Sequence, residues 1–175
     1  MGGFSKVYLL RNLTTGDFLT GKFILKENAN LDLVTNEYQI AQTLDHPYIV
    51  KTHQFIETDH FYIILMEFVS GGELFELLKE QRTMNEECAR FYIVETLQAL
   101  KYLHDQNIIY RDIKPENIIL DHEGHLKLTD FGLAKRVDGR SYSFCGSIDY
   151  MAPEVLEEDG YSFEVDYYSI GNLLF

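Results

Sequence analysis

The sequence predicts an α+β fold in two lobes, a small β-rich one with a single helix followed by a mostly helical one. Three observations predict it. Short β-prone runs crowd the first part of the chain, helical periodicity takes over after Ser70-Gly71-Gly72, and no Pro/Ser-rich linker separates the two regimes. At 175 residues the chain has the size of one ordinary domain with a real core. Residues 1–68 are therefore expected to form the N-lobe and 69–175 the C-lobe, acting as one unit.

In chain order, Val7 to Leu10 and Lys22 to Leu25 read as strands around the turn-like Thr14-Thr15-Gly16-Asp17. Leu31 to Leu44 reads as a helix that stops before Pro47. Within it Glu37 shares a face with Ala41 and Leu44, at i, i+4 and i+7, which turns its carboxylate toward the core. A buried carboxylate needs a cation to stay ionised, and Lys22 on the preceding strand is its natural partner. Strands are expected at Thr52 to Ile56 and Phe61 to Phe68, and a short helix from Glu73 to Lys79. A long helix from Asn85 to His104 places Ala89, Ile93, Thr96, Leu97, Leu100 and Leu103 on one stripe. A hairpin follows, Ile118 to Leu120 and His125 to Leu128, turning through Asp121-His122-Glu123-Gly124. The remainder reads as loop until a helix begins near Phe163.

Acidic residues outnumber basic ones 28 to 15, for a formal net charge of −13. That balance argues against nucleic acid or an anionic membrane surface as the partner. The longest apolar run, around Phe61 to Met66, is far too short to span a bilayer. The start lacks the basic-then-apolar order of a secretory signal. Cys88 and Cys145 form no CxxC pair and read as reduced thiols, so a cytoplasmic and/or nuclear protein without a membrane span is expected. His104, His122 and His125 lack ligand spacing and read as surface or packing residues.

Four segments carry chemistry. Positions 110–117 read YRDIKPEN: Asp112, Lys114 two residues on and Asn117 five residues on supply a base, a phosphate-binding cation and a metal ligand from one loop. Positions 130–132 read DFG directly after the hairpin, where the Asp130 carboxylate can reach the same metal as Asn117. Lys22 and Glu37 form the expected ion pair. Gly2-Gly3-Phe4-Ser5-Lys6-Val7 is the tail of a glycine-rich turn, whose bare backbone can approach phosphates closely.

These strings, in this order and continuing to Met151-Ala152-Pro153-Glu154, resemble the eukaryotic protein kinases over essentially the whole chain. Tyr110 before Arg111-Asp112 and the run Phe144-Cys145-Gly146-Ser147 resemble the AGC group, most closely the ribosomal-protein and mitogen/stress-activated kinases. The resemblance implies a bilobal kinase fold and a serine/threonine kinase that uses ATP and Mg2+. It assigns Lys22 to the ATP phosphates and to Glu37, Asp112 to the substrate hydroxyl, Lys114 to the γ-phosphate, and Asn117 and Asp130 to the magnesium ions. Gly2, Gly3, Val7, Met66, Glu67, Val69, Glu73, Glu116 and Ile119 complete the nucleotide site it implies. In that site Met66 resembles the gatekeeper, the backbone from Glu67 to Val69 faces adenine, and Val7 and Ile119 sandwich it. Lys114 and Ser147 favour Ser/Thr over Tyr substrates. Glu73 and Glu116 match positions that receive arginine before the target hydroxyl, and Ser143 matches the site of an activating phosphate added by an upstream kinase.

The departures are few. Relative to the family one upstream glycine and the first strand fall before Met1, and Phe175 lies inside a helix that the family buries centrally, so the domain is expected to be partial. Ala41 and Thr52 stand where larger apolar residues are usual in a stack that Tyr110, Phe131 and Asp166 otherwise complete. The alternative reading is a catalytically silent kinase-like module or regulatory scaffold, and the full set Lys22, Glu37, Asp112, Asn117 and Asp130 speaks against it.

Overall fold

The computed structural model describes residues 5–157 and 159–174. The N-terminal lobe is one antiparallel sheet in the order β1-β2-β4-β3, built from β1 (Ser5–Arg11), β2 (Phe18–Leu25), β3 (Thr52–Glu57) and β4 (Phe61–Glu67). Helix α1 (Leu31–Ala41) lies between β2 and β3 in the chain, and Asn30 caps it by accepting from the backbone N–H groups of Asp32 and Leu33. It ends three residues earlier than its apolar pattern: Leu44 is buried but follows a 3-10-like exit in which Thr43 N–H reaches the Ile40 carbonyl.

The hinge is a close approach of two backbones. Gly71 N–H donates to the Leu120 carbonyl at 2.7 Å, and Leu120 N–H donates to Gly72 at 2.8 Å. A Cβ on Gly71 would lie 2.5 Å from the Leu120 oxygen, so only glycine admits this contact. The ladder carries Glu73 to a bridge with Ile119.

Helices α2 (Leu74–Gln81) and α3 (Glu86–His104) open the second lobe, with Asn85 capping α3 through Cys88 N–H. The hairpin of β6 (Ile118–Leu120) and β7 (Leu126–Leu128) packs on α3, and the main core joins α3, this hairpin, Tyr110, Phe131 and the end of α1. The expected stripe on α3 needs correction. Leu97 is exposed, while Glu95 and Ala99 are buried in its place. The helix turns this way because Glu95 is the acceptor for the hairpin: its Oε2 takes Leu126 N–H at 2.9 Å and its Oε1 meets His125 Nδ1 at 2.5 Å.

The stretch expected to be loop contains more order. β5 (Ile108–Ile109) pairs with β8 (Lys135–Arg136), and α4 (Pro153–Leu156) precedes the last helix, α5 (Glu164–Leu174). A second core cluster, Ile109, Val137, Met151, Ala152, Val155, Tyr161 and Val165, fixes this region onto α5.

Candidate active site

Period-two alternation places Lys22 and Thr20 on the same face of β2, and α1 presents Glu37 toward it. Lys22 Nζ donates to Glu37 Oε1 at 2.6 Å and to Asp130 Oδ1 at 2.9 Å. The ammonium thus sits between two carboxylates. Burial disfavours its charge, but Glu37 and Asp130 outweigh burial and hold its pKa above the ordinary lysine value. Burial raises the Glu37 carboxyl and Lys22 offsets only part of this, while nearby Asp130 adds to the rise. For Asp130, burial works upward too, yet Lys22, the Gly132 N–H and Lys114 win and keep it ionised below the usual range.

Asp130 and Arg111 both hold left-handed backbones, with φ of 57° and 69°. Such conformations are uncommon for residues with a Cβ and persist where the surroundings enforce them. At Arg111 the enforcing group is the fully buried Asp166 on α5, whose two oxygens accept Tyr110 N–H at 2.9 Å and Arg111 N–H at 2.7 Å. His104 Nε2 lies 2.8 Å from the same carboxylate. Tyr110 is fully buried against Phe131, edge to face, and its hydroxyl donates to the Thr129 carbonyl. Burial, with Asp130, Asp112 and Asp166 adding repulsion, pushes its phenol well up, so it stays protonated as a donor.

Asp112 follows directly. Its carboxylate meets Lys114 Nζ at 2.8 Å, accepts the Ser147 hydroxyl at 2.8 Å and accepts Asn117 Nδ2 at 2.7 Å. Lys114 also donates to Ser147 Oγ at 3.1 Å. Asn117 uses its Nδ2 for Asp112 twice, on the carboxylate and on the carbonyl at 2.9 Å, which turns its amide oxygen the other way. The carboxamide oxygen of Asn117 and the carboxylate of Asp130 are hard oxygen donors, the chemistry that suits Mg2+ with phosphate and water completing its shell. Gly146 brings Ser147 in: its φ is 116°, and a Cβ there would lie 2.8 Å from the Arg111 carbonyl.

Val7 is 63 % exposed and Met66 and Ile119 are partly buried. Val7 pairs with Lys22 across β1–β2 and Met66 with Thr20 across β2–β4, while Ile119 arrives on the hairpin from below the hinge. Glu67 ends β4, Val69 follows in the hinge, and α2, which Glu73 precedes, packs on the 3-10 turn Pro115–Asn117 that carries Glu116. Gly2 and Gly3 lie outside the described residues.

Sequence reasoning misses Tyr161, which shapes the site. Tyr161 accepts from Arg111 Nη1 at 3.0 Å and donates to the Ser143 carbonyl at 2.6 Å, and no local pattern marks it. Ser147, a marker of substrate type in the sequence, bonds directly to Asp112 in the fold. Near Ser143, Lys135 donates to Ser141 Oγ at 3.3 Å, and Arg111 spends its Nε on the Leu133 carbonyl at 2.7 Å. Ser143 itself is exposed.

A family model described as Protein kinase domain matches residues 1–175. The chain belongs to the protein kinase domain family. It is 38 % identical to the cAMP-dependent protein kinase catalytic subunit of Dictyostelium discoideum, over 99 % of this chain and 28 % of that protein. It is 41 % identical to Protein kinase 3 of the same organism, over 100 % of this chain and 21 % of the relative. Ribosomal protein S6 kinase alpha-2 of Mus musculus matches at 42 % identity, over 99 % of this chain and 25 % of the relative. The chain thus spans about a quarter of the length of the curated relatives it matches. The bilobal kinase fold and the resemblance to AGC kinases agree with these relatives.

Proposed function

We propose that the protein transfers the γ-phosphate of MgATP to serine or threonine hydroxyls of protein substrates. The observation that carries this reading is the Asp112 carboxylate held among Lys114, Ser147 and Asn117 at 2.7–2.8 Å, with the Lys114 charge also acting on Asp130 of the Lys22–Glu37–Asp130 cluster. The Ser147 hydroxyl donates to Asp112 as an acceptor hydroxyl would. In the proposed step that acceptor's oxygen bonds to the γ-phosphorus, its proton passes to Asp112, and the bond to the β–γ bridging oxygen breaks to release ADP. Lys114 offsets charge on the moving phosphoryl group, and Lys22, oriented by Glu37, grips the remaining phosphates. Asn117 and Asp130 would hold Mg2+, which when bound neutralises phosphate charge. Val7, Met66, Glu67, Val69, Glu73, Ile119 and the glycine turn would enclose the nucleoside and phosphates. Positioning and charge, not covalent catalysis, supply the rate.

Glu73 and Glu116 are proposed to select substrates with arginine before the target hydroxyl, because a carboxylate takes two parallel guanidinium bonds. Ser143 is proposed as the target of an upstream kinase: the residue is exposed, and the Tyr161 hydroxyl joins its backbone carbonyl to Arg111. A cytoplasmic and/or nuclear location belongs to the same reading, and no described helix is long and apolar enough to cross a membrane. The test is Lys22→Met in the full-length protein. Phosphotransfer to a basic Ser/Thr peptide should fall by at least about 100-fold; unchanged transfer refutes the site.

A further inference from the structure

We infer that the Tyr161 hydroxyl is a positioning group that closes a circuit of bonds through the catalytic loop and holds the segment from Ser143 to Ser147 against Asp112; the inference rests on the phosphotransfer reading of Asp112. Tyr161 lies between α4 and α5 and is 1 % exposed. Its side chain belongs to the second core cluster, with Ile109, Val137, Met151 and Val165. A buried phenol is costly unless its hydroxyl finds partners. Here it finds two, from segments far from it and from each other in sequence. It accepts Nη1 of Arg111 at 3.0 Å and donates to the Ser143 carbonyl at 2.6 Å. Cys145 Sγ lies 3.9 Å from the same oxygen. Phenylalanine would fill the same core, so these bonds are what the hydroxyl adds.

The backbone around Tyr161 keeps the hydroxyl at that point. Tyr161 forms an antiparallel bridge with Ser141, in which Ser141 N–H donates to the Tyr161 carbonyl at 2.7 Å and Tyr161 N–H donates back at 2.9 Å. Arg140 Nη1 donates to the Asp159 carbonyl at 3.2 Å, and the Ser162 hydroxyl donates to the Gly139 carbonyl at 3.4 Å. Residues 139–141 are thus laid along 159–162. The next stretch has no such support. Among the described residues, the backbone of 142–146 makes one hydrogen bond, the one from the Tyr161 hydroxyl to Ser143.

That bond matters because the circuit it closes contains the catalytic carboxylate. The Ser147 hydroxyl donates to Asp112 at 2.8 Å. From Ser147 the chain runs back through Gly146, which lies against the Arg111 carbonyl, to Ser143. Ser143 accepts from Tyr161, Tyr161 accepts from Arg111, and Arg111 is the residue before Asp112. Arg111 does not hold the segment without the phenol, because its Nε is spent on Leu133 and its N–H on Asp166. With the hydroxyl removed, residues 142–146 lose their backbone bond and Ser147 is free to leave Asp112. Asp112 then loses a fixed position, and misplacement of a catalytic group acts on the transfer step. Nucleotide affinity should be spared, since the hydroxyl bonds to none of Lys22, Glu37 and Asp130.

The experiment compares the full-length wild type, Tyr161→Phe, Ser147→Ala and the Tyr161→Phe/Ser147→Ala double variant at equal phosphorylation of Ser143. Tyr161→Phe should lower kcat on a basic Ser/Thr peptide about tenfold, while KM for MgATP stays within about twofold. The double variant should be no slower than the worse single one, because both open the same circuit. Hydrogen exchange at the amides of 143–147 should quicken about tenfold in Tyr161→Phe, with the amides of β6 and β7 unchanged. Unchanged kcat in Tyr161→Phe overturns the inference. So does a loss that simply adds to that of Ser147→Ala with exchange over 143–147 unaltered, which leaves Tyr161 an ordinary core residue. Should Tyr161→Phe be too unstable to assay, Arg111→Lys decides the point. Its ammonium keeps the charge but cannot serve Leu133 and Tyr161 together, so exchange over 143–147 should quicken, and an unaltered segment overturns the inference. A wild type without phosphotransfer refutes the role of Asp112 instead, and hydrogen exchange then still decides whether the hydroxyl holds the segment.

Discussion

Replacing Asp166 by alanine should damage stability and catalysis together, and by amounts that can be worked from its bonds. The carboxylate is fully buried and accepts the backbone N–H groups of Tyr110 and Arg111 at 2.9 and 2.7 Å. Each orphaned buried N–H costs about 1–3 kcal/mol, so two cost about 2–6 kcal/mol. Removing a carboxylate that was itself taken out of water offsets part of this, leaving a net loss of about 3 kcal/mol. For a domain of this size that is a fall in Tm of about 6–12 °C. The catalytic loss has a separate origin. Arg111 holds φ of 69°, and the bond from its N–H to Asp166 stabilises that left-handed turn just before Asp112. Released, the turn relaxes toward common backbone angles and carries Asp112 with it, and a displacement of about 1 Å costs about 100-fold in rate. Asp166→Asn keeps one acceptor oxygen and should lose about half as much stability. Differential scanning calorimetry and kcat on the full-length protein are the assays. A Tm within about 2 °C of wild type with unchanged kcat refutes the argument that Asp166 holds the catalytic loop.

Three further outcomes are expected. Ser143→Ala should block activation by an upstream kinase; full activation of that variant, with phosphate mapped elsewhere in the segment, removes the switch. The bond to Glu95, reinforced by its charge, holds His125 above the ordinary imidazole value. Its stabilising contribution is therefore complete below about pH 6.5 and is lost as pH rises through the raised folded value. His125→Gln should flatten the stability curve in that window, and a wild-type curve already flat there contradicts the pairing. Glu73→Gln with Glu116→Gln should reduce arginine enrichment in a peptide-library assay by about tenfold, and an unchanged profile rejects these two as the selecting carboxylates.

The residues whose partners follow from spacing were legible in the sequence. Glu37 could be turned inward from its i, i+4 and i+7 neighbours because helical geometry is local, and Asp112, Lys114 and Asn117 were legible as a group because one short loop carries them. The end of α1 and the start of β7 moved by one to three residues, as expected where terminal bonds are weak.

Other features had no local signal. The two-residue strands β5 and β8 exist only because Ile108 and Ile109 meet Lys135 and Arg136 from across the chain, and neither run would be extended alone. The buried stripe of α3 was misjudged at Leu97 because apolar spacing ranks leucine above glutamate. The hairpin's Leu126 N–H needed an acceptor, and satisfying a buried donor outweighed burying one more apolar side chain. Composition and motif order alone therefore determined the two-lobed class and the set of chemical groups. Beyond the Lys22–Glu37 pair, tertiary structure alone decided which carboxylate faces which donor, from Asp166 under the catalytic loop to Glu95 under the hairpin, because a hydrogen bond depends on distances that only the folded chain sets between residues far apart in sequence.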